Sequence, residues 1–259
     1  MQHKSIVIIG AGNVATALGR ALADVGHSII EIVSKNLDRA LMLAKKVNSP
    51  HYSDCIEQIN TEVDMYIIAV SDDAIAEVVQ RMPEVKGVVT HTSGVVGGEE
   101  LMQKFTSWGI FYPLQTFTAT RIINFKDIPF LLTAGNTPTE DFLKDVAKSI
   151  GSKPYLMNEE EKAHVHVAAV LTNNFVNHLL TLADEYIDQH HIPANLFHPL
   201  LKETVAKAID IGAKRSQTGP AKRGDHGTID KHLELLESTN NETLLLLYKT
   251  FTKSIREHY

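Results

Sequence analysis

Near its N-terminus the chain reads Ser5-Ile-Val-Ile-Ile-Gly-Ala-Gly-Asn-Val-Ala15. The run Ser5–Ile9 predicts a buried strand, because strands covered on both faces are apolar throughout. A G-x-G-x-x-A sequence follows and opens a helical pattern. Its first glycine permits a tight turn, its second lets the backbone approach a pyrophosphate, and its alanine allows close helix–sheet packing. We therefore predict a dinucleotide-binding turn formed by Gly10, Gly12, Asn13 and Val14, although a turn that has lost its ligand or binds another nucleotide would share this sequence.

Outward from this turn, short apolar runs alternate with amphipathic segments. Strands are predicted at Ser5–Ile9, Ser28–Val33, Met65–Val70, Val88–His91, Gly109–Pro113 and Pro129–Thr133. Helices are predicted between them, at Val14–Val25, Leu37–Val47, Asp73–Gln80, Glu99–Phe105 and Thr139–Ser149. This alternation predicts a Rossmann-like α/β fold, with a doubly wound and mostly parallel sheet joined by right-handed crossovers.

The pattern changes near Gly151–Pro154, beyond which only helices are predicted. They are one long helix over Asn158–His190, one from Pro193 to about Ala213, and two over about Thr228–Glu237 and Asn241–His258. We therefore expect an NAD(P)-binding domain over residues 1–152 and an all-α substrate or dimerisation domain over residues 153–259.

Composition excludes several classes of protein. The net charge of −6 argues against a general nucleic-acid binder, which needs a basic surface. No apolar run approaches the roughly 20 residues that span a bilayer, so no membrane partner is expected. The apolar N-terminal run leads straight into Gly10 without a cleavage-like site, which favours a strand over a signal peptide. The single cysteine, Cys55, cannot form an intrachain disulfide, and we expect a cytoplasmic protein.

The residues after the second predicted strand indicate which dinucleotide binds. An NAD site usually places Asp or Glu there to accept from the ribose 2′-hydroxyl. Here the strand ends in Ser34, Lys35 and Asn36, and Glu31 lies too early. Hydroxyl, amide and ammonium groups suit a 2′-phosphate, so we predict NADP, with NAD the less favoured cofactor. A solvated lysine beside an asparagine helix cap is the alternative.

Two further strand ends belong to the same predicted crevice. Val70 and Ser71 follow one apolar strand, and His91 and Ser93 lie at the end of the next. Ligands of doubly wound sheets bind outside the carboxyl ends of the strands. We therefore predict that these four residues contact the cofactor.

A polar stripe runs along the long predicted helix. Lys162, His166, Asn173 and Asn177 follow one another at intervals of 4, 7 and 4 residues, which brings them to one helix face. We predict Lys162 or His166 as the proton donor, Asn173 as a catalytic residue that orients substrate, and Asn177 as substrate-binding. A solvated polar face is the alternative. The 13 histidines suggest no metal site, because His164 and His166 lie about 200° apart on a helix.

A polar loop interrupts the helices of the second half. Gly219 and Pro220 break any helix, and Arg223 follows between Lys222 and Gly224. An arginine in a glycine-bounded loop suits bidentate binding of an anion, so we predict that Arg223 binds substrate. Pairing with Asp225 or with a partner subunit fits the same residues.

Several segments together resemble a known family. They are the GAGNVA turn, Ser34-Lys-Asn36, His91-Thr-Ser-Gly94, Tyr112-Pro-Leu-Gln-Thr-Phe117 and Gly219-Pro-Ala-Lys-Arg-Gly-Asp225. They resemble bacterial proteins described as NADP oxidoreductases, which join a Rossmann-like domain to a helical domain of unknown function. The architecture is more distantly similar to pyrroline-5-carboxylate reductase and to the phosphogluconate and β-hydroxyacid dehydrogenases.

The resemblance implies hydride transfer between NADP and a small, anionic carbonyl, hydroxyl or imine compound. It also implies a homodimer formed through the helical domain. In the distant relatives a lysine and an asparagine on the first long helix act at the reacting carbon. Lys162 and Asn173 fall on a comparable helix, with His166 where the relatives' Lys-x-x-x-Asn spacing has asparagine. A protein that binds NADP(H) without turnover, as a sensor or scaffold, is the alternative from a different class.

Overall fold

The computed structural model describes residues 3–118, 120–239 and 241–259. Within these ranges, eight strands form one sheet in the order β3-β2-β1-β4-β5-β6-β7-β8. The strands are β1 (Ser5–Ile9), β2 (Ser28–Val33), β3 (His51–Ser53), β4 (Met65–Ile68), β5 (Val88–His91), β6 (Trp108–Pro113), β7 (Pro129–Ala134) and β8 (Lys153–Leu156). Only β6 and β7 pair antiparallel among these strands. The mostly parallel order, reversing direction outward from β1, confirms the predicted Rossmann-like fold.

The helices of the first half connect these strands, and those of the second half follow the sheet. They are α1 (Asn13–Asp24), α2 (Leu37–Val47), α3 (Ile75–Arg81), α4 (Glu99–Lys104), α5 (Thr137–Ser149), α6 (Glu159–Ala169), α7 (Phe175–Gln189), α8 (His198–Ile211), α9 (Ala213–Ser216), α10 (Pro220–Arg223), α11 (His226–Glu237) and α12 (Glu242–His258). Asparagine side chains cap α2, α5 and α6, and α6 begins with a full capping box between Asn158 and Glu161.

Two apolar cores lie on the two faces of the sheet. Alternate residues of β1 point to opposite faces: Ile6 and Ile8 pack into the core that contains α1, whereas Val7 and Ile9 pack into the core that contains α3. All four side chains are buried. Coverage of both faces explains why the strand sequences show no polar alternation.

The two strands missing from the sequence prediction lie at the two edges of the sheet. β3 has only three residues, and two of them are exposed. β8 carries Pro154 and leaves Lys153, Tyr155 and Leu156 exposed. Edge strands tolerate proline and need no continuous apolar run, so the pattern that identifies central strands is absent from them.

The long predicted helix is interrupted. Its α-helical geometry ends at Ala169, passes through a π-helical segment, Val170–Asn174, and resumes as α7. The polar loop predicted around Gly219 and Arg223 follows the short helix α9 and contains the short helix α10. None of the helices among the described residues is both long and apolar enough to cross a membrane.

The chain divides into two compact units, Met1–Asn174 and Phe175–Tyr259. The predicted division after residue 152 therefore falls earlier than the division seen in the structure. β8 belongs to the first unit because it pairs with β7. α6 belongs to it because Glu159 and Lys162 both hydrogen-bond to the loop after β5.

The glycine turn gives a stability test. A Cβ on Gly10, whose φ is +116°, would overlap the backbone oxygen of Ala69, whereas a Cβ on Gly12 would meet nothing within 4 Å. Gly10→Ala should lower the free energy of unfolding by about 2 kcal/mol or more. Gly12→Ala should change it by less than about 0.5 kcal/mol. Urea unfolding of both variants without ligand measures the difference, and equal losses would contradict the assigned turn.

Candidate functional site

A cleft of about 960 Å³ lies in the first unit, at the carboxyl ends of the parallel strands. Gly10, Gly12, Asn13 and Val14 line it after β1, and Val70 and Ser71 line it after β4. The opposite wall comes from the segment after β6 and from the end of α6 with the π-helical segment. With Ser34 and Lys35 after β2, the structure brings eight of the eleven predicted cofactor residues to one cavity, at the position where doubly wound sheets bind ligands.

The glycine turn fits the pyrophosphate of a dinucleotide. Gly10 brings β1 against the end of β4 too closely for any side chain, and Gly12 borders open space in the cleft. Gly12 is also the N-cap of α1, and no side chain caps the helix there. The first N–H groups of a helix need an acceptor and favour an anion. The turn therefore offers a cradle that a Cβ would fill and donors that a phosphate would satisfy.

The residues after β2 divide into two groups. Ser34 and Lys35 line the cleft, and the Lys35 ammonium lies 3.0 Å from a carboxylate oxygen of Glu77 on α3. The Asn36 side chain instead accepts a hydrogen bond from the Arg39 N–H at 2.9 Å and caps α2. Asn36 is not among the described residues that line the cleft. It takes the helix-cap role that the sequence left open.

His91 and Ser93, predicted to contact the cofactor, are buried within the loop after β5. The Ser93 N–H donates to His91 Nδ1, so Nε2 carries the ring proton and donates to the Gly97 carbonyl at 2.9 Å. The Ser93 hydroxyl oxygen accepts from the N–H groups of Val95 and Val96. Burial lowers the pKa of His91 to about 4, so the ring is neutral at neutral pH. Both side chains shape the loop from inside, and its Thr92 lines the cleft.

Lys162 holds the same loop from α6. Its side chain is fully buried, and Nζ donates to the Val96 carbonyl at 2.7 Å. One turn earlier, the Glu159 carboxylate accepts from the Gly98 N–H at 2.7 Å. Burial lowers the pKa of Lys162 to about 8, against the opposing effect of nearby carboxylates. Lys162 is not among the described residues that line the cleft, whereas His166, one turn further on, is.

His166 and Tyr112 form a titratable pair in the cleft wall. The Tyr112 hydroxyl lies 3.2 Å from His166 Nδ1. Burial raises the pKa of Tyr112, so the hydroxyl stays protonated at neutral pH. A Cβ on Gly94 would overlap both His166 Nδ1 and Tyr112 Cζ, so the loop after β5 packs closely against the pair. Tyr112 is a site residue that no sequence pattern predicts, although it begins the Tyr112–Phe117 segment that carries the family resemblance.

The remaining predicted residues lie in different places. Asn173 lines the cleft from the π-helical segment. Asn177 lies on α7 and Arg223 on α10, both in the second unit. Arg223 is exposed, with its guanidinium 3.9 Å from an Asp225 carboxylate oxygen. Neither Asn177 nor Arg223 is among the described residues that line the cleft, so their predicted substrate contacts stay predictions.

Two charged residues of the cleft are not predicted from the sequence. Asp54 follows β3, and Arg81 ends α3. Neither belongs to a motif: β3 has no strand signature, and a basic residue in the last turn of a helix is a common helix-stabilising feature. Only the folded chain brings them to the cleft. Within the described residues, no group of three or more His, Cys, Asp or Glu side chains is placed to hold a metal ion.

The buried Lys162 predicts a specific pH dependence of stability. Its pKa is lowered from 10.5 to about 8 on folding, so the unfolded chain binds more protons between these values. The free energy of unfolding therefore contains a contribution that rises with pH across this window, by up to about 3 kcal/mol. Lys162→Met should lose that contribution, and Lys46→Met, at an exposed position of α2, should keep it. Urea titrations at pH 7 to 10 measure it; the same pH slope in wild type and Lys162→Met would contradict the burial.

Comparison with known proteins places the chain in a family. Residues 5–94 match the family model described as "NADP oxidoreductase coenzyme F420-dependent", and residues 128–255 match a domain of unknown function, DUF2520. A "putative NADP oxidoreductase" from Bacteroides fragilis is 34% identical, with 98% of each chain covered and a TM-score of 0.89. A Thermotoga maritima protein, 23% identical with 98% and 97% coverage, has a TM-score of 0.72 and shows the same fold.

A more distant solved structure shares the fold, and a curated sequence relative matches part of the chain. The 1-pyrroline-5-carboxylate reductase of Streptococcus pyogenes is 17% identical, covers 98% of this chain and 99% of its own, and has a TM-score of 0.63. The glycerol-3-phosphate dehydrogenase [NAD(P)+] of Legionella pneumophila is 26% identical over 157 residues, 53% of this chain and 47% of the relative. The chain thus spans about half the length of the curated relatives it matches. The predicted family is confirmed: the chain belongs to the NADP oxidoreductases that join an N-terminal coenzyme-binding domain to a DUF2520 domain.

Proposed function

We propose that this protein is an NADP-dependent oxidoreductase that acts on a CH–OH or CH–NH group of a small anionic substrate. Membership of the family supports the oxidoreductase class. One observation carries the finer proposal. The cleft combines an uncapped helix N-terminus at Gly12 with a hydrogen-bonded Tyr112–His166 pair in its wall. The first feature suits a dinucleotide phosphate, and the second suits proton transfer to a substrate bound beside it.

NADP is the cofactor that the sequence predicts and that the family supports. Gly12, Asn13 and Val14 would hold its pyrophosphate, and Ser34 with Lys35 would hold its 2′-phosphate. When bound, the nicotinamide supplies or accepts the hydride. The chain's own contribution is to bind and orient the reactants and to move the accompanying proton.

His166 is the proposed proton donor and acceptor. Of the two residues predicted for this role, His166 lines the cleft, whereas the Lys162 ammonium is engaged by the Val96 carbonyl. The Tyr112 hydroxyl, which stays protonated, lies 3.2 Å from His166 Nδ1 and holds that side of the ring. Tyr112 is thereby proposed to orient His166 so that Nε2 exchanges a proton with the substrate. Asn173, on the same wall, is proposed to orient substrate.

We further propose that the helical second unit forms a homodimer. Exposed apolar side chains on its helices support this, among them Leu200 and Ile209 of α8 and Leu246 of α12, with 64%, 76% and 65% of their surface exposed. Asn177 and Arg223 are proposed to reach substrate in that assembly. Light scattering on the purified chain tests the proposal, and a mass of 28.7 kDa would contradict it. The cytoplasmic location remains a prediction.

Thermal unfolding with added nucleotides tests cofactor binding. A ligand present at 100 times its dissociation constant adds about 2.7 kcal/mol to the free energy of unfolding. At matched concentrations NADPH should raise the melting temperature most, NADH less, and ATP least. A larger shift with NADH than with NADPH would contradict the cofactor assignment. No shift with either dinucleotide would overturn the proposed function.

Replacement of His166 tests the proton-transfer role. Oxidation of NADPH by a panel of small 2-oxo acids and cyclic imines, and reduction of NADP+ by hydroxy acids, would first identify a substrate. His166→Gln should then lower kcat by about 100-fold or more, and it should retain NADPH binding. His164→Gln, at an exposed position of the same helix, is the matched control and should keep wild-type turnover. Unchanged turnover in His166→Gln would remove this residue from the mechanism.

A further inference from the structure

We infer that Arg81, at the end of α3, binds the 2′-phosphate of NADP together with Lys35 and thereby determines the preference for NADP over NAD. The inference rests on the proposed function, since it concerns the same cofactor cleft. The usual determinants of NADP or NAD preference lie directly after β2, where Lys35 is. Arg81 belongs to a different element, and it lines the same cleft.

The two cations are spaced to share one anion. The Lys35 ammonium lies 3.0 Å from Glu77 Oε2, and the Arg81 Nη1 lies 3.1 Å from Glu77 Oε1. A single carboxylate, on α3, therefore bridges both charged groups. Phosphate oxygens are separated by a similar distance to carboxylate oxygens, and a guanidinium suits bidentate contact with either group. The arrangement is a two-cation clamp, formed by Lys35 and Arg81, that holds Glu77. Arg81 Nε also lies 2.8 Å from Glu57 Oε1, so Arg81 has a second carboxylate partner.

The ion pairs of the clamp are exposed and weak, so another anion can replace the carboxylate. The side chains of Lys35, Glu77 and Arg81 retain 68%, 50% and 42% of their exposure, and exposed ion pairs contribute only about 0–1 kcal/mol each. Hydrogen bonds from Lys35 and Arg81 lower the pKa of Glu77, so its carboxylate is ionised at neutral pH. An incoming 2′-phosphate carries more negative charge than this carboxylate and would compete with it for both cations. Glu77 therefore occupies the clamp when no dinucleotide is bound and opposes binding of the phosphate.

One nearby group favours the opposite specificity. Asp54 also lines the cleft, and a carboxylate there would suit the 2′-hydroxyl of NAD. A dianionic phosphate that replaces Glu77 and Glu57 in the exposed ion pairs of Lys35 and Arg81 would gain two cationic partners, which favours NADP despite Asp54. The ratio of the NADH and NADPH dissociation constants therefore shows whether the two cations or Asp54 determines the cofactor preference.

Direct titration of each dinucleotide, followed by its fluorescence, tests the inference without any substrate. Arg81→Gln should weaken NADPH binding about tenfold or more, equivalent to about 1.4 kcal/mol, and should leave NADH binding nearly unchanged. Glu77→Gln should tighten NADPH binding, most clearly at low salt, because a competing charge is removed. The melting temperatures of both variants should match wild type, since the ion pairs they lose are exposed.

Lys86→Gln is the matched control. Lys86 forms an exposed ion pair with Glu62 at 3.0 Å, and it is not among the described residues that line the cleft. This variant should bind both dinucleotides as wild type does. An unchanged NADH-to-NADPH ratio in Arg81→Gln, in a wild type that binds NADPH, would overturn the role of Arg81 and leave the proposed function intact. Failure of the wild type to bind either dinucleotide would overturn the proposed function itself. Loss of NADH binding in Asp54→Asn, with NADPH binding unchanged, would support the minor role given to Asp54.

Discussion

The close approach of Gly10 to the backbone of Ala69 is the contact on which the site depends. Its φ of +116° and the overlap that any Cβ would make with the Ala69 oxygen leave room for glycine alone. The turn brings the end of β1 against the end of β4, and α1 begins three residues later, at Asn13. The uncapped first turn of α1 consequently opens on the same edge of the sheet as the residues that follow β2, β4 and β5. A side chain at position 10 would push these elements apart, and the residues that line the cleft would no longer lie together.

Polar side chains outside the cleft hold the loop that forms part of its wall. His91, Glu159 and Lys162 each hydrogen-bond to the backbone of the loop after β5, at Gly97, Gly98 and Val96. Burying a charged lysine costs free energy, which the lowered pKa of Lys162 reflects. In return, the loop is held so that Gly94 packs against the Tyr112–His166 pair. The polar stripe on the long helix thus has two functions, with Lys162 fixing a loop and His166 facing the cleft.

Most of the fold can be predicted because the signals for its strands and helices lie in short stretches of sequence. Central strands are apolar throughout, and apolar residues recur every three to four positions in the amphipathic helices. Both kinds of element are therefore predicted nearly to their ends. β3 and β8 escaped prediction because edge strands need neither property. The cofactor turn was also predictable, since three small residues at fixed spacing serve one conformation.

The rest of the site depends on tertiary contacts that no motif encodes. Helical spacing correctly placed Lys162 and His166 on one face, but it could not show that a loop covers the first and leaves the second at the cleft. Asn177 lies on the face of Lys162 and His166 only in an unbroken α-helix, and the π-helical segment Val170–Asn174 changes the angular phase before it. Arg81 reaches the cleft from α3, whose Glu77 joins it to Lys35 after β2.

The central claim is that the N-terminus of α1 binds the pyrophosphate of NADP. Amide nitrogen and proton NMR shifts of Gly12, Asn13 and Val14 during titration with NADPH test it most directly. We predict that these three amides shift more than any others in the first unit, and that Gly12→Val abolishes the shifts while the protein stays folded. Binding of NADPH with these amides unmoved would contradict the account.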